Sequence, residues 1–322
     1  ADRVNHPTGT TQQFSVPAGI AFASSSYLLW GFLPIYFVLI ASVGPFEIVA
    51  WRIVLSLAFC AILVTIVRGW RRLGALFRDR RAMAWLTFAS IVVAVNWTVF
   101  VFATTSGHVI EGSLGYFINP IFTVLLGVIL LRERLRPAQW AAVGISAVAV
   151  LVLTFGYGSV PWIALILALS FGLYGFAKNR VGPKADAIGG LAAETAILTP
   201  IAIVVLIVIS TTTGLRMFDG DPTVTILLLF AGIITATPLI LFAAGARRIP
   251  LSYLGLLQYL GPMLQFITGV VFLKEPMPLE RWIGFGIVWL ALIVLATDTV
   301  IHGARTRRSR VPDPAEGVGE VV

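Results

Sequence analysis

Apolar residues come in runs separated by short polar connections along almost the whole chain. A helix rises about 1.5 Å per residue and the hydrocarbon core of a bilayer is about 30 Å thick, so about 20 predominantly apolar residues make one span. The runs predict ten helices, over 18–42, 46–67, 82–104, 110–131, 137–154, 160–177, 187–210, 223–245, 251–273 and 279–301. The fifth and sixth are short. What remains is a polar cytoplasmic start at 1–17, an arginine-rich connection after the second run, short turns, and a tail over 305–322 whose Arg, Pro and Gly content reads as disordered. No stretch is left for a water-soluble domain. The pattern predicts an all-α polytopic membrane protein.

The polar interruptions repeat. Sliding the chain on itself by 142 residues places Leu114 on Leu256, Pro120 on Pro262, Gly127 on Gly269, Glu133 on Glu275, Trp140 on Trp282 and Gly144 on Gly286, without a gap. Upstream, the same shift matches Ala94 with Ala236 and Phe100 with Phe242. Two unrelated apolar stretches would match Leu with Val, not an ordered set of Pro, Gly, Glu and Trp. The chain therefore reads as a duplicated five-helix unit, 18–154 and 160–301. Because five is odd, the second unit enters the membrane from the opposite side, which makes the repeats inverted. Inverted repeats are an architecture in which parts rock about a central site and expose it to each side in turn. Transport is the expected function.

Composition agrees with a lipid solvent. Of 322 residues, 58% are hydrophobic and 12% charged, where a soluble domain carries roughly 25% charged residues. The net charge of +8 and the pI of about 10.1 would suit a nucleic-acid binder. The basic residues, however, sit in loops between spans and line no single helical face. With the N-terminus inside, 19 of the 23 Lys and Arg fall in inside segments. Only Arg216, Lys274 and Arg281 fall outside, and Arg52 lies within a span. This is the positive-inside asymmetry, and it places both termini in the cytoplasm. The first run has a polar flank with a single Arg and is followed at once by a second span, so it reads as a helix rather than a signal peptide. The single cysteine, Cys60, allows no intrachain disulfide and no thiolate metal cluster.

Candidate chemistry lies where the spans are interrupted. Pro120 and Pro262 supply no N–H and crowd the carbonyls of Tyr116 and Gln258, and each falls near mid-membrane. Freed carbonyls at that depth are tolerated where they face protein or a water-filled cavity, and Asn119 and Gln258 bring amides to the same level. Bending for packing is the other reading of the prolines. Glu47 and Arg52 are five residues apart, about 140° round a helix, so Arg52 needs a partner elsewhere. It is either half of a structural ion pair or a substrate contact. Glu194 is the candidate proton-titrating carboxylate or the partner of Arg52. Glu111 reads as a cap on the fourth span. Asn96 and Trp97 could grip a solute by hydrogen bond and ring face. Trp51, Trp70, Trp85 and Trp162 suit the interfacial belt. Asp298, His6, His108 and His302 read as solvated.

Enzyme signatures are missing. The segment EGSLG at Glu111–Gly115 approaches the serine-hydrolase pattern G-x-S-x-G, but Glu111 replaces the first glycine and no strand-to-helix elbow precedes it. No H-E-x-x-H or phosphate-binding G-x-x-x-x-G-K-[ST] occurs, which leaves a membrane protease or an ATP-driven pump unsupported. A channel would want a ring of filter residues. No cofactor is called for.

The stretches YLLWGFLPIYF, EIVAWR, NWTVFVFA, EGSLGYFINPIFTVLLGVILLRERL, ETAILTP and GLLQYLGPMLQFITGVVFLKEP resemble those of the RarD proteins, in the EamA-type branch of the drug/metabolite transporter superfamily. The similarity runs from about Ser24 to Asp298. It implies ten helices in two inverted repeats and a bacterial plasma-membrane permease of a family tied by name to chloramphenicol sensitivity. The resemblance falls on Glu47, Arg52, Asn96, Trp97, Glu111, Tyr116, Asn119, Pro120, Glu194, Gln258, Tyr259 and Pro262. Arg132 and Lys274 depart from it, since a glycine is usual there. The resemblance implies export of a small organic metabolite or drug, with a proton- or solute-coupled exchanger or importer of amino-acid-like or sugar-like compounds as the alternative.

The charge asymmetry generates a topology test. A membrane-impermeant thiol reagent applied to intact cells is expected to label a cysteine placed at Gly214 and to leave cysteines at Gly74 and Gly303 unlabelled. Labelling at Gly74 would reverse the orientation.

Overall fold

The structure, a computed structural model, describes residues 16–308 except 133, 158, 220, 247 and 250–256. The described residues form helices and turns. These are α1 (Val16–Leu39), α2 (Pro45–Ile66), α3 (Trp70–Arg78), α4 (Arg80–Thr105), α5 (Val109–Leu131), α6 (Pro137–Tyr157), α7 (Trp162–Val181) and α8 (Ala187–Thr212), then α9 (Pro222–Leu229), α10 (Ala231–Ala246), α11 (Leu260–Ile267) and α12 (Leu279–Arg308). Nine segments among the described residues are long and apolar enough to cross a membrane, α9 and α10 counting together as one.

Their ends are set by ordinary capping chemistry. The Asp79 carboxylate accepts from the N–H groups of Arg81 and Ala82 at 3.1 and 3.0 Å and starts α4. At the position 142 residues on, Asp221 accepts from Thr223 and Val224 at 2.9 and 3.4 Å and starts α9. Asp186 does the same for α8, and Pro45 and Pro222 occupy first-turn positions where a missing N–H costs nothing. The same bookkeeping holds at the opposite ends. Arg132 and Lys274, also 142 apart, both sit in the left-handed region, at φ 55° and 52°. That backbone explains why glycine is the expected residue there.

Packing follows the repeat. The shift of 142 relates α1 to α7, α2 to α8, α4 to α9 with α10, α5 to α11 and α6 to α12. Helix α6 packs on α12, α2 on α8 and α5 on α11. The α5–α7 pair has its counterpart in α11–α1, α4–α7 in α10–α1, and α10–α2 in α4–α8. Two large apolar cores result, beside a small one between α3, α4, α7 and α8. One is built from α1, α2, α4, α8 and α10; the other from α5, α6, α11 and α12. Helix α7 feeds both, Ile163 and Leu167 facing the first and Ala164 and Ala168 the second. Each core thus mixes the two sequence halves.

Several expectations are corrected. The arginine-rich connection contains the short helix α3. The eighth run steps at Phe230 between α9 and α10. The last helix continues to Arg308, so Arg305, Arg307 and Arg308 are helical where a disordered tail was expected. The starting segment up to residue 15, the tail from 309 and the beginning of the ninth run at 251–256 lie outside the described residues. The described part of that run is not one continuous α-helix. Gln258 and Tyr259 form a turn, α11 begins at Leu260, and one π turn over Thr268–Phe272 ends it. Asp298 is buried and paired with Arg136, not solvated.

Small residues set the closest approaches, as expected where packing and hydrogen bonds, not water exclusion, hold helices together. A Cβ on Gly232 would collide with the Leu55 carbonyl and stand 3.0 Å from the Ser56 nitrogen, so α10 and α2 meet backbone to backbone. Gly144 has nothing within 4 Å of its added Cβ. Gly232→Ala is therefore expected to lower the stability of the purified protein by about 1–3 kcal/mol. Gly144→Ala is expected to raise it by about 0.5–1 kcal/mol, both read by thermal unfolding in detergent. Equal effects would mean that the α2–α10 contact is looser than described.

Candidate functional site

Arg52 lies seven residues after Pro45, about 10 Å along α2. It is 6% exposed, although it carries a full charge. Its Nε donates to Thr235 Oγ1 on α10 at 2.7 Å. Its guanidinium carbon stands 4.4 Å from the centre of the Trp97 ring and 5.6 Å from that of Phe37. A desolvated cation–π contact contributes about 2 kcal/mol, and a hydrogen bond within a bundle about 1 kcal/mol. Together they roughly offset the 2.5–3.5 kcal/mol that a centred arginine costs on insertion scales. They leave Nη1 buried with no partner.

Asn96 on α4 is a hub. Its Nδ2 donates to the Leu167 carbonyl at 3.2 Å and to Ser170 Oγ at 3.0 Å on α7. Its Oδ1 accepts from the Tyr116 hydroxyl on α5 at 3.0 Å. The Tyr116 ring packs edge-on against Phe100 and Phe171. One α5 turn later, Asn119 Nδ2 donates to the Ala168 carbonyl at 3.0 Å. Thus Arg52, Asn96, Trp97 and Tyr116 come together, with Asn119 clasping α5 to α7 beside them. Pro120 lies inside α5, as expected.

Glu194 does not join Arg52. It is fully buried on α8 and accepts from Lys178 Nζ at 2.6 Å and the Tyr174 hydroxyl at 3.2 Å, both on α7. Glu47, also buried, faces away from Arg52, as its spacing requires. It accepts from Trp51 Nε1 at 3.3 Å and from the N–H groups of Arg216 and Met217, each at 3.2 Å. Glu111 caps α7 in place of its own helix, accepting from the Ile163 N–H at 3.1 Å.

Gln258, Tyr259 and Pro262 occupy the interruption before and within α11, and among the described residues no hydrogen bond joins them to the Arg52 cluster. Pro262 falls in the first turn of α11, where its missing N–H is not needed, so it marks a broken helix and not a kink within a continuous one. The polar contact this region does make belongs to Gln265, whose Nε2 donates to the Trp30 carbonyl at 3.1 Å. Glu275 grips α5, accepting from the N–H groups of Val109 at 2.6 Å and Ile110 at 2.9 Å. A carboxylate there also meets the positive end of the helix dipole. Its counterpart Glu133 lies outside the described residues.

Sequence reading missed Thr235, Ser170, Tyr174, Lys178 and Gln265. For Lys178 a signal existed. The shift of 142 places Tyr36 on Lys178 and Arg52 on Glu194, so the position that matched Arg52 needed a cation nearby. Outside the spans, Lys184 pairs with Asp79 and holds its carboxyl below the usual range, helped by the α4 N–H groups. Cavities flank the bundle. One of about 260 Å3 is lined by His108, Glu111, Trp162 and Arg281, and one of about 600 Å3 by Arg72, Asp79, Lys184 and Asp186. Both lie at helix ends, away from Arg52.

Known proteins share this arrangement of sequence. The EamA-like transporter family matches twice, over 17–155 and 159–297, a displacement equal to the internal shift. The RarD protein of Streptomyces exfoliatus is 42% identical over 300 residues, covering 93% of this chain and 94% of that protein. The RarD protein of Escherichia coli K12 is 36% identical over 290 residues, covering 90% and 97%. A crystal structure of a protein at 18% identity covers 86% of this chain and 96% of its own with a TM-score of 0.52, a likeness of fold alone. Two family matches in register with the repeat, on a bundle of membrane-length helices, make this chain a multi-pass member of the EamA-like transporter family.

Proposed function

We propose that the chain is a secondary transporter that moves a small organic metabolite or drug across the bacterial plasma membrane by alternating access, in the direction of export. The observation that carries this reading is the buried polar cluster of Arg52, Asn96, Trp97 and Tyr116, set within a bundle whose packed pairs have repeat counterparts. A charge and a three-bond amide hub at depth are costly in hydrocarbon, and such residues are kept where a solute or ion passes. Ten spans in two inverted repeats, with cytoplasmic termini, complete the proposal. The symmetric pairing of α5–α7 with α11–α1 and of α4–α7 with α10–α1 supports it. The mixed cores also suggest what moves. Helices α5, α6, α11 and α12 share one core, so the rocking body is that four-helix group and not a sequence half.

One finding bears on coupling. The Lys178–Glu194 pair stands at the repeat position of Tyr36 and Arg52, and it favours the alternative of a proton- or solute-coupled exchanger for amino-acid-like or sugar-like compounds. Imposing and removing a pH gradient across proteoliposomes separates the two. Coupling through this pair requires that Glu194→Gln abolish the response to the gradient.

The transport reading itself is tested by counterflow. Proteoliposomes loaded with a cell metabolite extract are expected to exchange at least one solute with saturable kinetics. Asn96→Leu removes three buried hydrogen bonds and is expected to cut that exchange at least tenfold at unchanged membrane expression. Gln258→Leu is expected to reduce it as well, while Gln139→Leu, near the start of α6, leaves it near the parental rate. Exchange that rises linearly with concentration, or that is untouched by Asn96→Leu, would exclude a carrier with this site.

A further inference from the structure

The buried side-chain atoms without a hydrogen-bond partner are Arg52 Nη1, Ser56 Oγ, Arg136 Nε, Ser146 Oγ and Gln265 Oε1, among the described residues. Arg136 belongs to a guanidinium already paired with Asp298, and three of the others are neutral. Arg52 is different, because its charge has no carboxylate beside it. Glu47 is occupied by three N–H groups and Glu194 by Lys178 and Tyr174. Ser56 follows Arg52 by four residues, so its unpartnered hydroxyl lies on the same face of α2 one turn away. Two unmet donors, one of them cationic, therefore share one buried face. The hydroxyls of Tyr36 and Tyr116 are within electrostatic reach of the guanidinium.

We propose that Arg52 and Ser56 bind the anionic end of the transported solute, which makes that solute a small organic monocarboxylate with an apolar or aromatic body. This rests on the reading of the chain as a transporter. A guanidinium presents parallel N–H groups that match a carboxylate. A single cation balances a single negative charge, and a dianionic phosphate would carry an uncompensated charge into an apolar interior. The body of the solute would meet rings, since Trp97 and Phe37 flank the guanidinium and Phe100 and Phe171 flank Tyr116.

The test follows thermal unfolding of the purified full chain with benzoate, 3-phenylpropionate and hexanoate, each beside its neutral amide, and with chloride. At least one carboxylate is expected to raise the melting temperature where its amide does not. Ser56→Ala is expected to weaken that carboxylate about tenfold, and Arg52→Gln at least about thirtyfold. Without ligand, Arg52→Gln is expected to melt no lower than the parent, because it removes a buried charge that has no counter-ion; a structural arginine would give a marked fall. Carboxylates acting no better than amides, chloride reproducing the whole effect, or a destabilised Arg52→Gln each overturn the proposal. Counterflow separates it from the transport reading. Saturable exchange of a neutral solute that survives Arg52→Gln removes the anion site and keeps transport, whereas Arg52-dependent carboxylate binding without any exchange keeps the site and removes transport.

Discussion

A chain dissolved in hydrocarbon has no water to receive an unpaired N–H, carbonyl or charge, so each must be met from inside the protein. This constraint organises the bundle. Carboxylates are spent on helix beginnings: Glu275 on α5, Glu111 on α7, Asp79 on α4, Asp221 on α9. Side-chain amides are spent on carbonyls of neighbouring helices, as Asn96 and Asn119 both are with α7. Against that background of paired groups, the guanidinium of Arg52 stands out by being only partly met.

The duplication shows how one scaffold can carry two different chemistries. Asp79 and Asp221 cap at matching places, and Arg132 and Lys274 turn the chain through the same left-handed backbone. These positions hold the fold, and both halves need them. At the depth of the candidate site the halves diverge. Arg52 rests on an aromatic face, and its counterpart Glu194 sits in an ion pair with Lys178. Asn96 corresponds to Pro238, whose carbonyl accepts from the Ser26 hydroxyl on α1. Symmetry governs the frame, and its loss governs what the interior can recognise.

Much of this was legible in the sequence because hydropathy and the 142-residue shift are both one-dimensional signals. Apolar runs of membrane length became helices, and helices related by the shift pack in corresponding pairs. Arg52, Asn96 and Trp97 were found because polar residues in apolar runs are conspicuous, and Tyr116 through its place before Pro120 and in the family resemblance. Their partners were not, for two reasons. Ser170 and Thr235 are ordinary in a membrane helix, and only the crossing of α7 and α10 makes them partners. Lys178 lies near the end of α7 and was counted with the loops, though its long side chain reaches back to Glu194. The break at Gln258–Tyr259 was read as a bend, since a proline in an apolar run does not say whether the helix continues before it.

The mixing of sequence halves within each apolar core has a consequence for synthesis. Helices α5 and α6 leave the ribosome long before α11 and α12, the helices they pack against, and the start of α5 waits for Glu275 to cap it. A half-made chain therefore exposes an uncovered helical hairpin to lipid and an open helix end to the interface. Its contacts are long-range in sequence, which slows their formation. The first five-helix unit, though it looks like a module when read along the chain, is not a folding unit that matures alone.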